Sequence, residues 1–131
     1  MIYWMLQRIK SLLKDNLFII AIFITITIAY LSLRRMPKIE TGINNVDKIY
    51  HLIAYFTLSV TWLFSFYRKP TLKYVIVICC IFFGIIIEVL QQTLTTYRTG
   101  DYKDAIANTV GILLGFIIFN QILKKITVNS Y

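Results

Sequence analysis

What this sequence has least of is charge within its long apolar stretches. Residues 17–33, 49–67 and 105–123 contain no Asp, Glu, Lys or Arg, and residues 74–97 contain only Glu88. Carboxylates are scarce throughout, six against fourteen Lys and Arg, and this imbalance gives a net charge of +8. With 58% apolar residues and a mean hydropathy of +0.70, the chain is more apolar than a soluble domain, whose apolar share is about 45–50%. Each uncharged block approaches the roughly 20 residues a helix needs to cross a bilayer core. The connections are short, so the 131 residues form one membrane domain, 1–131, with no separate soluble part. The expected fold is all-α: a bundle of four transmembrane helices with a short amphipathic interfacial helix before it.

Other absences narrow the function. The two cysteines, Cys79 and Cys80, are neighbours within one span. On a helix they point about 100° apart, which excludes the framework of a secreted disulfide protein and gives no metal spacing. No H-E-x-x-H motif and no activated Ser or Cys nucleophile stands out. There is no inverted repeat of the kind secondary transporters use. The basic residues lie mainly at the ends of the apolar blocks, where they act as anchors and topology signals, so nucleic acid is not an expected partner. No metal or other cofactor is expected.

At the N-terminus, Ile2, Met5, Leu6, Ile9, Leu12 and Leu13 share one helical face, with Arg8, Lys10 and Lys14 around the other. That pattern predicts a basic helix lying in the interface, with Tyr3 and Trp4 at headgroup level. The apolar block that follows is too long for a signal sequence and has no A-x-A-like site, so it is read as a retained first span. Thr25 and Thr27 within it can bond back to the helix's own carbonyls. Pro37 and Pro70 mark stops.

The polar residues inside the apolar blocks carry the functional reading, since ionisable groups at membrane depth are functional candidates by default. Asp47, His51 and Tyr55 recur every four residues and share one face of the second span, with Ser59 and Trp62 continuing it and Lys48 one residue off. On the third span, Gly84, Glu88, Gln91 (or Gln92) and Thr95 form a small and polar face. Glu88 falls roughly 21 Å along that span, below the far surface. The connecting segment carries Arg98, Asp101 and Asp104. A fourth stripe runs through Asp104, Asn108, Gly111 and Gly115, in which Gly111-x-x-x-Gly115 is a helix-packing motif. Taken singly, Asp101 and Asp104 read as a helix N-cap with an acidic first turn.

With four spans, Arg8, Lys10, Lys14, Arg68, Lys69, Lys73, Lys124 and Lys125 share one side, against Arg34, Arg35, Lys38, Lys48, Arg98 and Lys103 on the other. The bias places both termini in the cytoplasm of a multi-pass cell-membrane protein. In either orientation, the start of the second span, the end of the third and the start of the fourth meet at one face. Arg98 is the leading expected partner for Glu88, with His51 second.

The pattern D-K-x-x-H-x-x-x-Y (Asp47, Lys48, His51, Tyr55), E-x-x-Q (Glu88, Gln91) and R-x5-D-x3-N-x2-G-x3-G (Arg98, Asp104, Asn108, Gly111, Gly115) resembles the VanZ-like family. It covers residues 47–115 in the family's order. Between Gln91 and Arg98 this chain has Q-T-L-T-T-Y where a Pro or Gly turn is expected. The resemblance implies a four-span protein near the cell envelope, in a family named for a protein of low-level teicoplanin resistance.

Three readings follow. The first is an envelope protein whose outward polar cluster engages membrane lipid, a lipid-linked cell-wall precursor, a glycopeptide or another membrane protein. Lys48, His51 and Arg98 would contact phosphate, oriented by Glu88, Asp104 and Asn108. The second is an intramembrane hydrolase or transferase acting on a lipid phosphate, with His51 and Glu88 as acid–base groups and Asp47, Asp104 and His51 able to hold a divalent ion. The third is a structural lock in which Glu88–Arg98, Asp104–Asn108 and His51–Asp47 satisfy one another. A binding role is preferred to an enzyme.

Overall fold

A computed structural model describes residues 1–34, 46–94 and 102–129. Four long helices account for nearly all of them: α1 (Ile2–Leu33), α2 (Val46–Ser65), α3 (Lys73–Leu94) and α4 (Tyr102–Asn129). Three are long and apolar enough to cross a membrane, over Asn16–Leu33, Lys73–Leu94 and Tyr102–Lys125.

The expected separate amphipathic helix is not there. Instead α1 runs unbroken for 32 residues, about 48 Å at the usual rise. The reason is local: the first 34 residues contain neither Pro nor Gly, and the polar Lys14-Asp15-Asn16 stretch interrupts hydrophobicity without interrupting helical backbone geometry. Thr25 and Thr27 bond back to the carbonyls of Ala21 and Phe23, each at 2.8 Å. Pro70 opens a short 3-10 turn, Pro70–Leu72, and α3 follows immediately.

The helices run alternately up and down. The end of α1, the start of α2, the end of α3 and the start of α4 come together at one end of the bundle, tied there by Gln91–Ser32 and Lys48–Asp104 contacts. Within this arrangement α2 is the inner helix. It packs against all three others, and most closely against α4. From Lys48 to its end only Ile49, Tyr50, Ile53 and Thr57 are exposed.

The α2–α4 approach has a cause legible in two residues. A Cβ built on Gly111 would strike the Leu52 carbonyl oxygen, and one on Gly115 would strike Ser59 Oγ. With lipid tails as apolar as leucine, helices associate through close packing and hydrogen bonds, and glycine permits the closest packing. Tyr55, Leu58, Leu63, Ile112 and Phe119 fill the centre. Facing outwards are Ile19, Phe23 and Ile26 of α1, Ile78, Phe82 and Ile86 of α3, and Leu113, Leu114 and Ile117 of α4. Among the described residues the buried set includes Ser32, Ser59, Glu88, Gln91, Asp104 and Asn108. Apolar side chains outside and polar ones within is the distribution a hydrocarbon solvent selects.

Candidate functional site

The buried polar residues gather at the end where the four helix termini meet. From α2, Lys48 lies one residue off the inward stripe and His51 lies on it, one turn into the helix. From α4, Asp104 and Asn108 are one turn apart on the face turned towards α2. Asp104 therefore sits in the first turn of α4, where a carboxylate suits the helix dipole, and also reaches across to another helix.

Lys48 Nζ donates to Asp104 Oδ1 at 3.4 Å. His51 uses both ring nitrogens: Nδ1 is 3.0 Å from Asn108 Oδ1, and Nε2 is 3.8 Å from Asp104 Oδ2. Burial is graded along this chain of contacts. The Lys48 side chain is 27% exposed, His51 12% and Asp104 7%. Lysine thus forms the rim, and histidine and aspartate lie behind it.

On α3 the expected face is the buried one. Gln91, not Gln92, turns inwards, and its Nε2 donates to the Ser32 carbonyl at 2.7 Å, tying α3 to the end of α1. Glu88 is buried one turn earlier. Gly84, one further turn back, leaves room for the Tyr55 ring and the Asn108 amide: a Cβ there would lie 3.2 Å from Tyr55 Cε1 and 3.5 Å from Asn108 Nδ2. The Tyr55 hydroxyl and Asn108 Nδ2 are buried with no hydrogen-bond partner among the described residues, so polar capacity remains inside the cluster.

The structure thus places Lys48, His51, Asp104 and Asn108 in direct contact, with Glu88, Gln91 and Gly84 on the adjoining face. Gly111 and Gly115 lie deeper, against α2. Arg98, Asp101 and the side chain of Asp47 lie outside the described residues, and with them the expected Glu88–Arg98 and His51–Asp47 pairs. Among the described residues no three His, Cys, Asp or Glu side chains converge as a metal site would require. Sequence reasoning missed the Ser32 carbonyl, which no side-chain pattern can reveal. It also missed the Lys73–Asn120 contact, 3.4 Å, at the opposite end of the bundle.

Helices with outward apolar surfaces around a largely buried polar cluster define a helical membrane protein with a charged cluster at one end. The chain matches the VanZ/LLP1 family over residues 2–124 and belongs to that family. A protein of the fission yeast Schizosaccharomyces pombe, described as uncharacterized protein C11E3.10, is 33% identical over 119 residues, or 86% of this chain and 72% of the relative. No solved structure matches.

Proposed function

We propose that this protein is a four-span component of the cell envelope, with both termini cytoplasmic, whose polar cluster faces outwards and binds the phosphate headgroup of a lipid-linked molecule. Acting on such a precursor, it would modulate susceptibility to glycopeptides of the teicoplanin type. The observation that carries this reading is the Lys48–Asp104–His51–Asn108 arrangement. A cation stands at the rim with a second protonatable group behind it, and both are held by side chains from another helix. Phosphate recognition uses donors fixed in advance in this way. The up-and-down packing of α2 between three membrane-length helices supports a fourth span.

Hydrolysis of a lipid phosphate has less support. A general base must take up a proton from its substrate, whereas His51 Nδ1 is bonded to Asn108 and Nε2 stands beside a carboxylate, which suits a phosphate-binding cation better than a proton acceptor.

The test is binding of a fluorescent isoprenyl phosphate, against the matching alcohol, to full-length protein in nanodiscs. The phosphate is expected to bind more tightly by about tenfold or more, the equivalent of one charge-assisted contact. Lys48→Gln and His51→Gln should lose most of that preference while keeping membrane abundance and melting behaviour. Equal binding of phosphate and alcohol, or variants that bind like the parent, would leave the cluster a structural lock. In cells, the same two variants should abolish any effect of the protein on teicoplanin susceptibility.

A further inference from the structure

From the end of the bundle away from the cluster to its middle, α1 and α3 leave an apolar crevice of about 320 Å³ between them, floored by α2. Its walls include Thr25, Trp62, Phe66, Val75, Cys79 and Phe83, and it opens outwards where Val75 and Cys79 are exposed. Phe18 of α1 packs edge-on against Trp62, at 5.7 Å between ring centres, and bounds one side. Apart from the weakly polar thiols of Cys79 and Cys80, the polar groups on the walls are already engaged: Trp62 Nε1 donates to Thr25 Oγ1 at 2.9 Å, and Thr25 Oγ1 donates to the Ala21 carbonyl at 2.8 Å. The crevice therefore offers little to a polar ligand, and its volume lies at the lower end of small-molecule sites, about 300–1,000 Å³.

Apolar walls inside a bilayer do not choose among lipids, because every acyl chain is equally apolar. Selection has to come from the headgroup, and the mouth of this crevice is charged. Phe66 and Val75, both lining residues, flank the turn that carries Arg68 and Lys69. Both basic residues are exposed, and neither forms an ion pair among the described residues. Lys73, Lys124 and Lys125 belong to the same end, whereas the described carboxylates, Glu88 and Asp104, lie towards the other.

We propose that this crevice holds an acyl chain of an anionic phospholipid whose phosphate rests against Arg68 and Lys69. The lipid comes from the leaflet at that end, opposite the polar cluster. This second site does not depend on what the cluster binds or on which side the cluster faces.

The chain reports on its own crevice, because Trp62 lines it and Trp4 is the only other tryptophan. Full-length Trp4→Phe protein would be reconstituted in phosphatidylcholine vesicles containing a minor fraction of phosphatidylglycerol. Brominated chains, which quench tryptophan on contact, would be placed on one lipid or the other. Brominated phosphatidylglycerol is expected to quench Trp62 several-fold more per mole than brominated phosphatidylcholine, since each basic residue near an anionic lipid contributes about fivefold in partitioning. Arg68→Gln with Lys69→Gln should bring the two lipids level, and Val75→Phe should reduce quenching by either. Equal quenching by the two lipids in the Trp4→Phe protein overturns the proposal, because any chain then fills the crevice. Quenching relieved by raising the protein density also overturns it, because a second copy is then the occupant.

Discussion

His51 is the only histidine in the chain, and its two neighbours both accept hydrogen bonds. Asn108 Oδ1 lies at one ring nitrogen and the Asp104 carboxylate at the other. Only the Asn108 contact, at 3.0 Å, is of hydrogen-bond length, so Nδ1 carries the N–H that Asn108 Oδ1 accepts, while the Asp104 carboxylate stands 3.8 Å from Nε2. Removing an acceptor should therefore be felt in proportion to burial. Asn108, at 2% exposed, holds the inner nitrogen, and Asn108→Leu should lower stability by about 1–3 kcal/mol, the penalty of a buried polar group left unsatisfied. Lys48→Met removes a contact from a side chain that is 27% exposed, and should cost no more than the roughly 0.6 kcal/mol typical of membrane hydrogen bonds. Thermal unfolding of both variants in one detergent orders them, and a larger loss for Lys48→Met would show that the histidine is not held through Asn108. The stripe through His51 and Tyr55 is legible in the sequence, because four-residue spacing fixes which side chains share a face. The partners are not legible, because spacing does not say which helix lies opposite. One-turn spacing on α4 also allows local pairing of Asp104 with Asn108, yet these two residues engage Lys48 and His51 across the α2–α4 interface.

At the scale of elements, the glycines separate into two kinds. Gly111 meets only backbone of α2, which cannot yield without moving the helix, and Gly115 meets the Ser59 hydroxyl and the Phe56 carbonyl, whereas Gly84 meets side chains of Tyr55 and Asn108. Gly111→Ala should therefore push α4 away from α2 and cost about 1–3 kcal/mol, as overpacking does. Gly84→Ala should be much milder, since a ring shifts by a few tenths of an ångström more easily than a carbonyl. Melting temperatures of the two variants would decide this. The small-residue motif was readable in advance; that α2 is its partner became visible only once the helices were assembled. For α1 the hydrophobic pattern misled: it changes character near Asn16, but nothing in the backbone chemistry ends the helix there, so two expected elements are one. The tie between α1 and α3 rests on Gln91 bonding to the Ser32 carbonyl. Gln91→Leu should let the end of α1 separate from α3. Distances between spin labels at Leu33 and Leu94 would broaden or lengthen in that variant, while those within α3 stay fixed.

For the molecule as a whole, the most enclosed helix is the one without a membrane-length apolar stretch. Alone, α2 falls short of the hydropathy that marks the other three as membrane-length apolar segments, because its inward stripe carries His51, Tyr55, Ser59 and Trp62. Those residues are sheltered by α1, α3 and α4 and not by lipid, so hydropathy understates its place in the bundle. This gives the number of spans a direct consequence. If α2 crosses the membrane, the N-terminus, the turn at Thr71 and the C-terminus share one side, and the segment at Thr99 lies on the other. If only α1, α3 and α4 cross, Thr71 and Thr99 still lie on opposite sides, but Thr71 no longer shares a side with the N-terminus. Single cysteines at Thr71, Thr99 and each terminus, introduced into a chain with Cys79 and Cys80 replaced, would be labelled from outside intact cells with an impermeant maleimide. Four spans with the expected charge bias leave Thr99→Cys alone reactive. Labelling of Thr71→Cys with the N-terminus protected would reduce the spans to three, and protection of Thr99→Cys would turn the Lys48–His51 cluster towards the cytoplasm, removing the envelope ligand while leaving the α2–α4 packing intact.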